Sequence, residues 1–152
     1  MDTDYLIIKS DGCELGWGAV FKTKLHKYAS KLEEQIYKYS RGQYKKKALT
    51  SSINQEILVI NYALDSFKLF LINKKEILVR TNCEAIVKFF NNKISKRINQ
   101  RRWLAFKDRI INANYRVIFE HINGSDNSLA DKLSRCFLIE RVPENPHWIN
   151  LW

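Results

Sequence analysis

Ile53, Ile57, Ile60, Leu64, Phe67 and Leu71 recur at three- and four-residue spacing, a period that predicts one apolar face of a long amphipathic helix. Runs of a different kind flank it. Tyr5 to Ser10 and Gly16-Trp17-Gly18-Ala19-Val20-Phe21 are β-rich, Tyr28 to Leu32 reads as a third strand, and Glu76-Ile77-Leu78-Val79-Arg80-Thr81 follows the helix. The first three are expected to form an antiparallel meander. Beyond them the sequence predicts a short helix over Glu84 to Phe90 and a polar connection from Asn91 to Arg97. A helix over Asn99 to Asn112 comes next, with Trp103, Phe106 and Ile110 on one face and Arg101, Arg102, Lys107 and Arg109 largely off it. A strand from Tyr115 to Ile122 and a helix from Ser128 to Arg135, with Leu129 and Leu133 inward, complete the series. This element order implies an α/β fold: a five-stranded mixed sheet with helices on both faces.

At 152 residues the chain has the size of one domain able to bury a real core. The longest uninterrupted aliphatic run, Ile57-Leu58-Val59-Ile60, is far short of the roughly 20 apolar residues that span a bilayer. The amino end lacks a hydrophobic signal segment, so an intracellular working site is expected. Three widely separated cysteines, Cys13, Cys83 and Cys136, argue against a disulfide framework or a paired-ligand zinc site and read as packing residues. The formal charge of +10 points to a polyanionic partner. Nucleic acid fits better than an anionic membrane, because no long basic amphipathic helix is evident.

Four positions stand where a strand ends or a helix begins: Asp11, Glu56, Asn82 and Asp131. A site that holds two divalent cations against a scissile phosphate needs four such oxygen-bearing side chains. Each also has a plain reading. Asp11-Gly12 is a common hairpin-turn pair, and Glu56 is an acid favoured in a helical first turn. Ser52 with Gln55 fits a capping box, as does Ser128 with Asp131.

The segments that carry a family likeness are Ser10-Asp11-Gly12 with Gly16-Trp17-Gly18-Ala19-Val20, then Asn54-Gln55-Glu56-Ile57-Leu58, then Arg80-Thr81-Asn82-Cys83-Glu84-Ala85-Ile86. The sharpest is the run from His121 to Arg135, which ends Asn127-Ser128-Leu129-Ala130-Asp131-Lys132-Leu133-Ser134-Arg135. In this order they resemble the ribonuclease H domain of reverse transcriptases, over roughly Tyr5 to Arg135. The last segment is similar to gypsy-type long-terminal-repeat retrotransposons and plant pararetroviruses of the caulimovirus family. The Thr81 to Ile86 segment looks most like the bacilliform group, such as rice tungro bacilliform virus. Where that group has Thr-Asp-Cys, this chain has Thr81-Asn82-Cys83.

The resemblance implies a domain over residues 1–135 with a tail over 136–152, working as an endoribonuclease on the RNA strand of RNA/DNA hybrids during viral reverse transcription. It implies two Mg²⁺ ions, with Mn²⁺ able to substitute, held by Asp11, Glu56, residue 82 and Asp131. His121, ten positions before Asp131, matches a loop histidine that assists leaving-group protonation or product release in many relatives; the plain alternative is a histidine satisfied at a strand end. Gly12 and Cys83 are candidates for close approach to RNA, and Arg80, Lys96, Arg97 and Arg101 for phosphate contacts. The connection from Asn91 to Arg97 is too short for the basic handle some relatives carry, so a polymerase domain of the same polyprotein is the expected partner, with no membrane. The implied location is the host cytoplasm or the viral particle. An amide at position 82 removes a charge from the metal site, so impaired catalysis is expected, whether Asn82 was introduced or is natural. Two other classes stand beside this one: a non-catalytic nucleic-acid-binding or tethering module, and a nuclease of the same fold acting on DNA.

Overall fold

The computed structural model describes residues 4–13, 16–44, 52–91 and 101–135. Strand β1 (Tyr5–Gly12) runs antiparallel to β2 (Gly16–Lys24), which pairs antiparallel with β3 (Gln35–Gln43). On its other side β1 pairs in parallel with β4 (Glu76–Thr81), and β4 in parallel with β5 (Arg116–His121), giving the order β3-β2-β1-β4-β5. The helices are α1 (Ser52–Ser66), α2 (Lys68–Leu71), α3 (Glu84–Asn91), α4 (Arg101–Ile111) and α5 (Ser128–Ser134). The mixed sheet with an antiparallel first half is as the element order implied.

Side chains alternate across each strand, and the two faces of the sheet differ. Leu6, Ile8, Ala19, Phe21, Ile77, Val79 and Phe119 join Ile57, Ile60, Leu64, Phe67, Leu71, Ile86, Phe106 and Ile110 of the helices in one core. The stripe that marked the long helix is therefore its buried face, although the helix breaks at Phe67 into α1 and α2. On the opposite face α5 covers Val20 with Ala130 and Leu133.

The third strand lies later than its sequence suggested. Tyr28 and Leu32 are 86% and 96% exposed in a loop, where Ser30 caps a 3-10 turn at Lys31–Glu33 by accepting from the Leu32 N–H at 3.2 Å. The real strand is an edge, wet over most of its length, and so lacks the alternation that marks half-buried strands. A bulge between Phe21 and Lys22 skips Tyr37 in the register, and its ring, 46% exposed, meets Phe21 and Phe70.

That loop has a purpose in the fold. It brings Glu34 across the α5 side of the sheet, where Arg80 forks onto it with Nη1–Oε1 and Nη2–Oε2 at 2.6 and 2.8 Å. Arg80 Nε also donates to Glu120 at 3.2 Å, while Lys22 and Lys31 add longer contacts to Glu34 and Glu120. Both Arg80 and Glu34 side chains are 3% exposed. The pairing holds Glu34 below the usual carboxylate range despite its burial, the expected outcome when a buried charge is fully matched.

Candidate active site

The parallel strands β1, β4 and β5 end together, and open crevices beyond carboxyl ends of parallel strands are where α/β sheets place ligands. Lys9 and Arg80 are the last residues that β1 and β4 pair with each other. Asp11 and Asn82 each stand two residues further on, so they leave adjacent strands at one level. Thr81 pairs with His121 on β5, which adds the histidine to the same end. Asp11 is half-buried, whereas Asn82 and His121 are exposed. Asp11 and Gly12 do not form the hairpin turn: both pair within the ladder, opposite Gly18 and Trp17, and the turn is closed by Cys13 N–H to Gly16 O at 2.9 Å.

Asp131 reaches this end from the far part of the chain because β2 lets α5 in. Gly18, directly opposite Asp11, is so close to α5 that a Cβ there would collide with Ala130 O and come within 2.5 Å of Leu133 Cβ and 2.7 Å of Ser134 N. Three hydrogen bonds moor the same region to β1 and its turn. Buried Asn127 donates to Ser10 O at 2.7 Å, Cys13 Sγ to Ser134 O at 3.0 Å, and Lys9 Nζ to Asp126 O at 3.2 Å. Asp131 is thus brought within hydrogen-bonding reach of Asp11. It does not cap its own helix, which begins at Asn127 without a side-chain cap.

Glu56 approaches from the opposite face. It is 6% exposed in the first turns of α1 and accepts from Thr81 Oγ1 at 3.0 Å, while the same hydroxyl accepts from Cys83 N–H at 3.1 Å. Gln55, expected to cap the helix, instead donates to Cys13 O at 2.6 Å and ties α1 to the β1–β2 turn. Burial lifts Glu56 to about 8, against the Thr81 bond and with the charge of Asp11 adding to the rise. Asp11 is lifted to about 6 by burial and by the Asp131 carboxyl. Burial and mutual repulsion raise both acids together, the pattern of carboxyl groups gathered at one site.

The donor set suits Mg²⁺, a hard ion that prefers oxygen ligands and keeps part of its water. Three carboxyl groups and the amide oxygen of Asn82 supply such donors. They are not gathered into a finished coordination shell: among the described residues no three His, Cys, Asp or Glu side chains form a metal-binding group. Glu56 is turned to Thr81 and Asp131 to Arg135, whose Nε donates to Oδ1 at 3.0 Å.

The nucleic-acid-binding candidates fare differently. Arg80 is buried in the Glu34 and Glu120 cluster, so it is a structural cation and not a surface contact. The open side of Gly12 faces Val59 and Tyr44, which a Cβ would meet at 2.5 and 2.6 Å; its lack of a side chain serves helix packing. Cys83 is half-buried at the site margin, and burial raises its thiol. Lys96, Arg97, the polar connection and the 136–152 tail lie outside the described residues, as does the side chain of Arg101. The sequence alone assigns Thr81, Gly18, Asn127 and Arg135 no role. All four lie inside the quoted motif segments, but only the tertiary contacts show what they hold.

Comparison with known proteins agrees with this fold and names its family. A polyprotein of Commelina yellow mottle virus is 40% identical over 145 residues, covering 94% of this chain and 8% of that protein. The enzymatic polyprotein of cauliflower mosaic virus (strain D/H) is 30% identical over 141 residues, covering 87% and 19%; the chain thus spans a small part of the relatives it matches. Among solved structures, the amino-terminal ribonuclease H domain of a Mycobacterium tuberculosis protein superposes with a TM-score of 0.63 at 16% identity, covering 88% of this chain and 92% of that one. LC11-RNase H1, solved in complex with an RNA/DNA hybrid, gives 0.62 at 20% identity, covering 84% and 92%. At such identities these two show the fold. With residues 2–108 matching the RNase H-like domain found in reverse transcriptase, the chain belongs to that family.

Proposed function

We propose that this chain is a hybrid-specific endoribonuclease domain of a viral polyprotein, slowed by the amide at position 82. The observation that supports it most is the meeting of Asp11, Glu56 and Asp131 with Asn82 at one end of the sheet, from elements 120 residues apart in sequence between Asp11 and Asp131. Asp11 is central, since it lies within hydrogen-bonding reach of Asp131 and its charge is felt at Glu56, and it would be shared by two Mg²⁺ ions. Glu56 and Asn82 would complete the inner donor set, and Asp131 the outer one. When bound, such a pair of ions supplies an activated water and stabilises charge on the leaving oxygen.

The protein's own part is positioning. Thr81 fixes the Glu56 carboxyl, α5 presents Asp131, and exposed His121 stands at the β5 end where it could move a proton to the departing 3′ oxygen. Products would carry 5′ phosphate and 3′ hydroxyl ends. Hybrid would be chosen by the shape of its minor groove and its 2′ hydroxyls, not by base sequence; LC11-RNase H1, of the same fold, is known with an RNA/DNA hybrid. A polymerase domain of the same polyprotein would add substrate affinity, within the host cytoplasm or the particle. No helix among the described residues is long and apolar enough to cross a membrane.

The decisive experiment is cleavage of an end-labelled hybrid by this chain and by Asn82→Asp, in Mg²⁺ and in EDTA. A unit charge at close range in a partly screened site contributes on the order of a few kcal/mol, so Asn82→Asp should cleave at least about a hundredfold faster. Equal rates would remove residue 82 from the ligand set. The chain should also bind hybrid in preference to duplex DNA, more weakly as salt rises; equal affinity for both would count against hybrid selection. The amide itself favours one second reading, a module that binds without cutting. That reading wins if neither form cleaves even when joined to its polymerase domain.

A further inference from the structure

Arg135 closes α5 in a position the metal-ligand assignment does not account for. Its backbone N–H bonds the carbonyls of Asp131 and Lys132, both at 3.2 Å, which fixes its Cα one turn beyond Asp131. From there the guanidinium donates through Nε to Asp131 Oδ1 at 3.0 Å, and its charge is felt by Asp11 as well. Arg80 offers a contrast within the same molecule. Its head group is 3% exposed and clamped by two acids, whereas the Arg135 side chain is 55% exposed and, among the described residues, is engaged through Nε alone. It can swing away without disturbing the helix that anchors it.

We propose that Arg135 is a displaceable placeholder cation: it sits against Asp131 while no divalent ion is held, and turns to a phosphate of the nucleic acid once metal takes that carboxylate. The proposal rests on the ribonuclease reading. A guanidinium presents the same planar fork to a carboxylate and to a phosphate, so one side chain serves both states. A site that holds a phosphate beside Asp131 also brings phosphate oxygens near a side chain rooted four residues on. An exposed pair at this helical spacing adds little to stability, so support of the fold is a weak reason for it. The exchange also keeps the acids from facing one another uncompensated before metal arrives.

The test compares this chain with Arg135→Ala and Arg135→Lys. Mg²⁺ alone is titrated by calorimetry, and a fluorescent RNA/DNA hybrid is titrated in EDTA and in Mg²⁺ across a range of salt, with unfolding curves to confirm that all three fold. Arg135→Ala should bind Mg²⁺ more tightly than the parent, since a competitor is gone. In Mg²⁺ its hybrid affinity should fall by about tenfold and its salt slope by about one; in EDTA, where the parent Arg135 is held by Asp131, its affinity should match the parent. Arg135→Lys should keep the slope while recovering part of the affinity, because an ammonium is a charge without a fork. Equal losses in EDTA and Mg²⁺ would make Arg135 a fixed phosphate contact, and no loss in either would make it a surface ion pair; each overturns the proposal. So would weaker Mg²⁺ binding by Arg135→Ala. If the parent binds no hybrid in either solution, the ribonuclease reading fails and the proposal with it.

Discussion

Two clusters of charge adjoin along β4, one centred on Arg80 and the other reached through the next residue, Thr81, and they have opposite electrostatics. In the cluster under the Lys31–Glu33 turn, Arg80 is forked by Glu34 and touched by Glu120, and the Glu34 carboxyl is held below its ordinary range. At the sheet end, Asp11 and Glu56 are pushed up to about 6 and about 8. Burial acts on both sets of acids. What differs, among the described residues, is where the cations sit: one cluster has Arg80 at its centre, and the other has Arg135 at its margin. Matched charge of the first kind supports the fold, and acids raised by burial and by one another are the mark of a candidate functional site.

Removing the matched cation should have the larger effect. Arg80→Met leaves Glu34 buried with only the 3.8 Å contact to Lys22, and we expect a loss of about 3–5 kcal/mol, read as a shift of the urea midpoint at neutral pH. A loss below about 1 kcal/mol would place the pair among surface bridges and erase the contrast. The unmatched cluster should respond in the other direction. Glu56 has a folded value of about 8 against an ordinary 4.5, so the folded state keeps a proton that the unfolded chain releases. Its contribution therefore falls as pH rises through that window. In EDTA, Glu56→Gln should match the parent near pH 4.5 and be more stable by on the order of a few kcal/mol at pH 8. Mg²⁺ should narrow the gap. Destabilisation by Glu56→Gln at pH 8 would show the carboxylate to be satisfied. The smallest effect is steric: Gly18→Ala must push α5 off β2, at about 1–3 kcal/mol, and should weaken Mg²⁺ binding at Asp131 while β1–β4 pairing stays intact. Unchanged Mg²⁺ titration would detach the glycine from the site.

The sequence was most legible where one constraint acted at a time. The apolar stripe from Ile53 to Leu71 and the aliphatic run of β4 announced themselves, since packing sets their period. β3 was misplaced because an edge strand need not alternate, and because Tyr28 and Leu32 have β-like character with nothing to pair against. Arg80 looked like a surface cation. Its burial depends on a loop that begins over 40 residues earlier, which no local pattern encodes. The order and spacing of Asp11, Glu56, Asn82 and Asp131 could be read because a shared motif fixes them. The hydroxyl of Thr81, the bare Cα of Gly18 and the amide of Asn127 could not, since each acts through a contact between segments remote in sequence.

The mooring of α5 has a consequence for the order of events during synthesis. The bonds that hold it to β1 join residues 117 apart at Lys9–Asp126 and Ser10–Asn127 and 121 apart at Cys13–Ser134, among the most non-local contacts a chain of this length can make. Such contacts are slow to find and come late. The central sheet and α1 can therefore assemble on the ribosome while Asp11 still lacks its partner acid. Only when the segment past Asp131 has emerged and docked do Asp11 and Asp131 meet, so this pair of acids is assembled after the sheet and α1.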